Sequence, residues 1–200
     1  EENWANYFKV TDPNSLKTAN DKASNLRYSV TSATGREGWT QVGSGADDYA
    51  RWDITASAAP ATSVDDYRNA AYTYGFNVEI DPFATTSTPK KRTAMGRFAH
   101  EGAWVAPVTV GKPVVFYMGC DSEDEYIYKF VSTAVWDAAD INGGLAAGDK
   151  YLDAGKLYVA KFNSNFTGEW LELTAGLSGT QAVGSETFTF SDIAVDPYLN

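Results

Sequence analysis

Two carboxylates set beside glycines are the residues of this chain best placed to do chemistry. Glu101 sits in Arg97-Phe98-Ala99-His100-Glu101-Gly102-Ala103, and Asp121 in Tyr117-Met118-Gly119-Cys120-Asp121-Ser122. Glu101 follows a short alternating segment, and Gly102 is expected to turn the backbone immediately after it. Asp121 follows the apolar run Val114 to Met118. Both are therefore expected at the mouths of strands, where oxygen ligands can hold a hard cation without burying an unpaired charge. Spacing alone leaves open that both are solvated loop carboxylates, the usual fate of acidic residues. His100 is the only histidine and Cys120 the only cysteine, and each adjoins one of the carboxylates as a candidate metal ligand or supporting group. Strand alternation points His100 away from Glu101, toward a core or supporting role. A thiolate at Cys120 suits a soft metal and not calcium, and a small buried residue without chemistry is the alternative.

The elements that must carry these residues read as β. Strand-like runs fall at Arg27 to Ser32, Phe76 to Ile80, Arg92 to Phe98, Val114 to Met118, Tyr126 to Val131, Leu157 to Phe162 and Trp170 to Leu173, separated by Gly, Asn, Asp or Pro. The last four predict a four-stranded antiparallel meander with an insertion at Ala134 to Asp153, tipped by Asn142-Gly143-Gly144. Residues 9–25 and 43–74 are rich in Asp, Ser, Thr, Ala and Asn and are expected as loops, with a short helix at Asp65 to Tyr72. There Asp47, Asp48 and Asp53 are candidate oxygen ligands for a peripheral calcium, beside the alternative of a solvated loop. Arg92, Arg97 and Lys129 are candidates for phosphate contact by charge, and equally for bonding between strands.

Composition narrows the class. The chain has 200 residues, 16 basic against 26 acidic, for a formal charge of −10. It lacks the basic clustering of a nucleic-acid binder, a long apolar run that would span a membrane, and the second cysteine of an internal disulfide. Six Trp, twelve Tyr and ten Phe suit strand packing, but also a carbohydrate-binding β module, whose mark is a coplanar row of exposed Trp rings.

Longer segments carry a resemblance. Gly75 to Phe83, Thr88 to Ala103, Tyr117 to Asp121, Glu125 to Ser132, Gly155 to Phe162 and Gly168 to Leu171, with Glu1-Glu2-Asn3-Trp4 at the start, are similar to the PhoX-type alkaline phosphatases. The resemblance implies a periplasmic or secreted phosphomonoesterase built as a six-bladed β-propeller with an iron and calcium cluster. Glu2, Glu101 and Asp121 fall on the family's acidic metal ligands, and the pattern does not divide them between the two metals. Blades of roughly 40 to 50 residues make this chain an all-β partial arc, about three to four blades, antiparallel with long loop insertions. It is expected as a single domain over 1–200, loop-rich over 9–74 and best matched over 75–173. A family cysteine upstream of Glu-Glu-Asn and a downstream Arg-x-Glu are not found, so the chain alone is expected to lack a complete active site. The exposed ends of the arc call for the missing propeller segments or a second copy as partners. The expected substrate is a phosphate monoester. The other functional classes in play are a non-catalytic, calcium-stabilised propeller interaction domain and the carbohydrate-binding module.

Overall fold

The computed structural model describes residues 1–12, 18–32, 35–41, 50–58, 66–174, 178–180 and 187–189. The chain divides into two compact units, Asn3–Gly75 and Glu1–Glu2 with Phe76–Asn200.

In the smaller unit, Trp4, Phe8, Val10, Tyr28, Val30, Ile54 and Ala71 form the core. Helix α1 (Ala19–Arg27) opens with a capping box: the Thr18 hydroxyl accepts from the Asp21 backbone N–H at 3.2 Å, and the Asp21 carboxylate accepts from that of Thr18 at 2.8 Å. The strand expected at Arg27 to Ser32 is not formed. Arg27 ends the helix, Ser29 takes a φ of 60°, and Val30 bonds back to Asn25. Tyr28 and Val30, the residues that made this segment look extended, bury in the core instead. A 3-10 turn at Ala70–Thr73 stands where a short helix was expected, while Asp65 lies outside the described residues.

The larger unit holds a two-stranded sheet, β1 (Asn77–Glu79) with β2 (Lys90–Arg92), and a five-stranded antiparallel meander. The meander runs β3 (His100–Val105), β4 (Pro113–Cys120), β5 (Ile127–Val135), β6 (Gly155–Phe162), β7 (Gly168–Glu172), each paired with the next. A further hairpin pairs β8 (Ser178–Thr180) with β9 (Thr187–Thr189). The described architecture is thus sheet-rich and antiparallel. The four expected strands of the meander are β4 to β7, and β3 adds a fifth. The alternation of β4, β5 and β6 turns Met118, Tyr128, Phe130, Leu157 and Val159 inward onto Met95 and Phe98.

Two expectations for this unit are corrected. Of the strand expected over Arg92 to Phe98, only Arg92 is extended, and Thr93–Met95 form a 3-10 turn that buries Met95. The insertion Ala134 to Asp153 contains a helix, α2 (Gly144–Leu152), so Asn142-Gly143-Gly144 leads into a helix N-terminus.

What docks α2 is Arg92. Its side chain is 2% exposed and bonds the Glu79 carboxylate through Nε at 2.7 Å, Asp149 at 2.9 Å and Asp153 at 2.8 Å, and the Leu145 carbonyl at 3.2 Å. Burial works against its charge, but these three carboxylates outweigh it and push its pKa further up. Arg92 is thus spent on structure and is withdrawn from the phosphate-contact candidates. The close approach demands a glycine: a Cβ on Gly148 would lie 2.0 Å from Glu79 Oε2 and 2.2 Å from an Arg92 nitrogen. Gly148→Ala is expected to cost about 2 kcal/mol or more by overpacking and by disturbing the buried pair, seen as a lower urea midpoint.

Asp66 makes a second ion pair, within the smaller unit. It accepts from Arg68 Nε at 2.8 Å and from the Ser57 backbone at 2.9 Å, and Arg68 holds its pKa down to about 2 against an ordinary 3.8. The unfolded chain therefore takes up this proton at a higher pH than the folded chain. The contribution is complete above pH 4 and is lost as pH falls toward 2. Comparing Asp66→Asn with the parent chain from pH 5 to 2, the stability gap is expected to close with falling pH.

Candidate metal centre

Three backbone contacts gather the sequence-expected site residues of the larger unit. The His100 N–H bonds the Glu1 carbonyl at 3.3 Å, the Asp121 N–H bonds the Ala99 carbonyl at 2.9 Å, and His100 stands opposite Cys120 in the β3–β4 register. Residue 1 is itself clamped. Its ammonium donates to the Phe76 carbonyl at 3.1 Å, and its carboxylate accepts from the Phe76 N–H at 3.0 Å and from Lys91 Nζ at 2.9 Å. Glu2 follows directly and is half-buried.

Glu101 reaches this rim by an unexpected route. The turn expected at Gly102 does not occur, and β3 runs on to Val105. The register steps from His100 opposite Cys120 to Gly102 opposite Gly119, so Glu101 is the extra residue of a β-bulge. A bulge leaves its residue outside the ladder and re-aims its side chain. Because β3 begins where antiparallel β4 ends, Glu101 and Asp121 still share one rim. Both are exposed, and among the described residues neither carboxylate makes a hydrogen bond or ion pair. Next to them, a Cβ added to Gly102 or Gly119 would meet nothing within 4 Å.

His100 points the other way, into the core. Its ring stacks on Phe98 at 3.6 Å, and Phe98 stacks on Tyr128 at 4.1 Å. Nε2 lies 3.0 Å from the Gly96 carbonyl and Nδ1 3.2 Å from the Asn77 amide, so the imidazole is neutral with its proton on Nε2. Burial pushes its pKa down to about 4. With both nitrogens engaged it has no lone pair for a metal or substrate proton. Cys120 is half-buried against the core, and burial, with Glu125 nearby, raises its thiol pKa, which favours S–H over thiolate. Glu125 accepts from the Tyr128 hydroxyl at 3.0 Å, as a strand-opening residue can.

Among the described residues no three Asp, Glu, His or Cys side chains converge as a closed ligand shell. The donor chemistry of the rim nonetheless suits hard cations: Glu2, Glu101 and Asp121 offer carboxylate oxygens and the nearby thiol is protonated. Elsewhere, Asp53 is engaged. It accepts from the Thr55 hydroxyl at 2.6 Å and the Thr11 hydroxyl at 3.2 Å, with Lys9 Nζ at 3.5 Å. Asp47 and Asp48 lie outside the described residues.

The family model for alkaline phosphatase PhoX matches residues 1–196. The chain belongs to the PhoX alkaline phosphatase family. Its likeness to a solved member, Pseudomonas fluorescens PhoX in complex with vanadate, a transition-state analogue, has a TM-score of 0.68 at 31% identity. The match takes in 97% of this chain and 30% of that protein, so the chain spans about a third of the length of this PhoX. No curated protein matches it.

The rim's two neighbours are expected to answer substitution differently. In chelator-treated protein, His100→Leu strands the Gly96 carbonyl, leaves the Asn77 amide only its contacts to the Met95 and Met118 sulfurs, and should cost about 1–3 kcal/mol. Glu101→Gln, one residue away, should stay within about 0.5 kcal/mol. Urea unfolding of the two variants checks the contrast.

Proposed function

We propose that this chain is part of a secreted, metal-dependent phosphomonoesterase and supplies one rim of its iron and calcium site through Glu2, Glu101 and Asp121. The observation that carries this reading is a pair of exposed carboxylates without partners among the described residues, one on a bulge and one at a strand end, on the same rim of a PhoX-family chain. A carboxylate displaced from its ladder and left unpaired gains little for the fold, and coordination is the role that suits it. The meander β3–β7 then serves as one blade of a partial six-bladed propeller.

Bound there, such cations polarise phosphoryl oxygens and make a water acidic enough to attack. The chain's own residues fix the geometry. The Glu1 clamp sets the backbone of Glu2, neutral His100 locks the start of β3, and the bulge lifts Glu101 off the sheet. The protonated thiol of Cys120, next to Asp121 in sequence, packs against the core and keeps soft metals at a disadvantage. A phosphate monoester brings about two negative charges to a chain of formal charge −10, so cations at the rim are also what makes approach favourable. Three carboxylates that each give one oxygen leave a calcium short of its usual six to eight. The chain alone is therefore proposed to be catalytically weak or silent.

Calcium titration by calorimetry, with hydrolysis of p-nitrophenyl phosphate followed in parallel, tests the reading. The parent chain is expected to bind calcium with a Kd on the order of 10⁻⁴ to 10⁻³ M. Glu101→Gln and Asp121→Asn should each weaken it about tenfold or more. Turnover by the chain alone should stay near background. Absence of calcium binding by folded protein, or undiminished binding in the double variant, would sink the assignment. Full turnover by the isolated chain would sink the proposal that it is incomplete.

A further inference from the structure

The tip of the β6–β7 hairpin carries more apolar surface than its fold uses. Phe162, the last residue of β6, is 60% exposed, and Phe166 in the following loop is wholly exposed on a left-handed backbone with a φ of 65°. That conformation is unfavourable for a bulky residue, and a side chain wholly in solvent gains no packing to offset it. The same loop reads Asn165-Phe166-Thr167, an asparagine two residues before a threonine with no proline between them, which is the acceptor pattern for an N-linked sugar. Its hydrogen bonds are local. The Asn163 N–H donates to the Thr167 carbonyl at 2.9 Å, and the Asn163 side-chain amide donates to the Thr167 hydroxyl at 3.1 Å. The Thr167 N–H and hydroxyl in turn donate to the Asn165 side chain, at 3.2 Å and 2.7 Å. A backbone N–H can only donate, so the atom it meets is Oδ1, and Nδ2 is the other arm of the amide. Asn165 is exposed, and its Nδ2 has no hydrogen-bond partner among the described residues.

We propose that Asn165 is an N-linked glycosylation site whose first sugar packs on Phe162. The inference rests on the export contained in the proposed function, because the sugar donor, an oligosaccharide carried on a lipid pyrophosphate, serves chains that leave the cytoplasm. In the transfer, Nδ2 bonds to C1 of the first sugar and gives up one proton. The C1–O bond breaks, and the lipid pyrophosphate leaves with its electron pair. Three observations set this triplet apart from a chance match. The nitrogen to be linked is unengaged, while Oδ1 and the Thr167 hydroxyl hold each other in place. Phe162 lies three residues before Asn165 and stands opposite Gly168, where a Cβ would come 3.7 Å from the ring's Cδ1, so glycine leaves the ring uncovered on that side. An exposed ring beside a linked sugar is a surface for the sugar's apolar face. The loop 163–167 closes on its own hydrogen bonds, so a bulky chain at its tip displaces nothing from the sheet.

Mass spectrometry of the tryptic peptide that starts at Phe162, taken from the exported fraction of the cells that make the protein, tests the site. The expected result is a sugar on Asn165, released by peptide N-glycosidase with conversion of that asparagine to aspartate. In the same chain secreted from yeast, Asn165→Gln and Thr167→Ala should each abolish the added mass. Enzymatic removal of the glycan should lower the melting temperature by about 2–4 °C, and by clearly less in Phe162→Ala, which keeps the acceptor triplet. Unmodified Asn165 in the native protein overturns the site, whatever yeast attaches. Sugar that resists the N-glycosidase and maps to Ser164 or Thr167 overturns it too, since the linkage then runs through oxygen. An equal drop with and without Phe162 overturns the packing of the sugar on that ring. Recovery of the protein only inside the cells removes the export on which both readings depend, whereas exported but unmodified protein leaves the metal-dependent reading standing.

Discussion

A guanidinium cannot be taken out of water without anions to meet it, and that requirement organises the larger unit around Arg92. Glu79 comes from the neighbouring strand, Asp149 from a helix more than fifty residues later and Asp153 from the cap at that helix's end, and all three converge on one side chain. The helix can approach only because Gly148 has no Cβ at the point of contact. Satisfying one charge thus ties β1, β2 and α2 together. It also fixes the start of the segment that runs through Met95 and Phe98, both buried, to His100.

From that anchored segment the candidate centre inherits its rigidity. The stack His100–Phe98–Tyr128 joins the beginning of β3 to the beginning of β5, and the hydrogen bonds of the His100 ring hold it to the Gly96 carbonyl and to the side chain of Asn77. Aromatic stacking and two neutral hydrogen bonds do not depend on salt as surface ion pairs do. The carboxylates just outside can therefore be left unpaired without loosening the backbone that carries them. The division of labour is sharp at a single peptide bond, where residue 100 is committed to the core and residue 101 to the rim.

Much of this was legible in the sequence, and what was not has identifiable causes. Period-two alternation marked β4 through β7, because each turns one face to a core, and Asp121 was read correctly as following a strand. Glu101 was placed on the right rim for the wrong reason. Gly102 suggested a turn, whereas an isolated glycine in a strand also signals a bulge, and that second meaning is the one realised. The Thr18-x-x-Asp21 capping box announced α1, but a polar composition masked it. Lys90-Lys91-Arg92 looks like a solvated charge run. Only the arrival of α2 buries its last member, and no local pattern encodes a contact so distant in sequence.

The bulge at Glu101 bears on how such a chain can change over generations. The ladder is complete on either side of it, with His100 opposite Cys120 and Gly102 opposite Gly119, and Glu101 itself has no cross-strand partner. Loss of that one codon would leave a regular hairpin with the same core residues facing inward, and its gain would restore a carboxylate at the rim. Acquiring or discarding this carboxylate is therefore a single insertion or deletion, made without renegotiating the sheet that supports it.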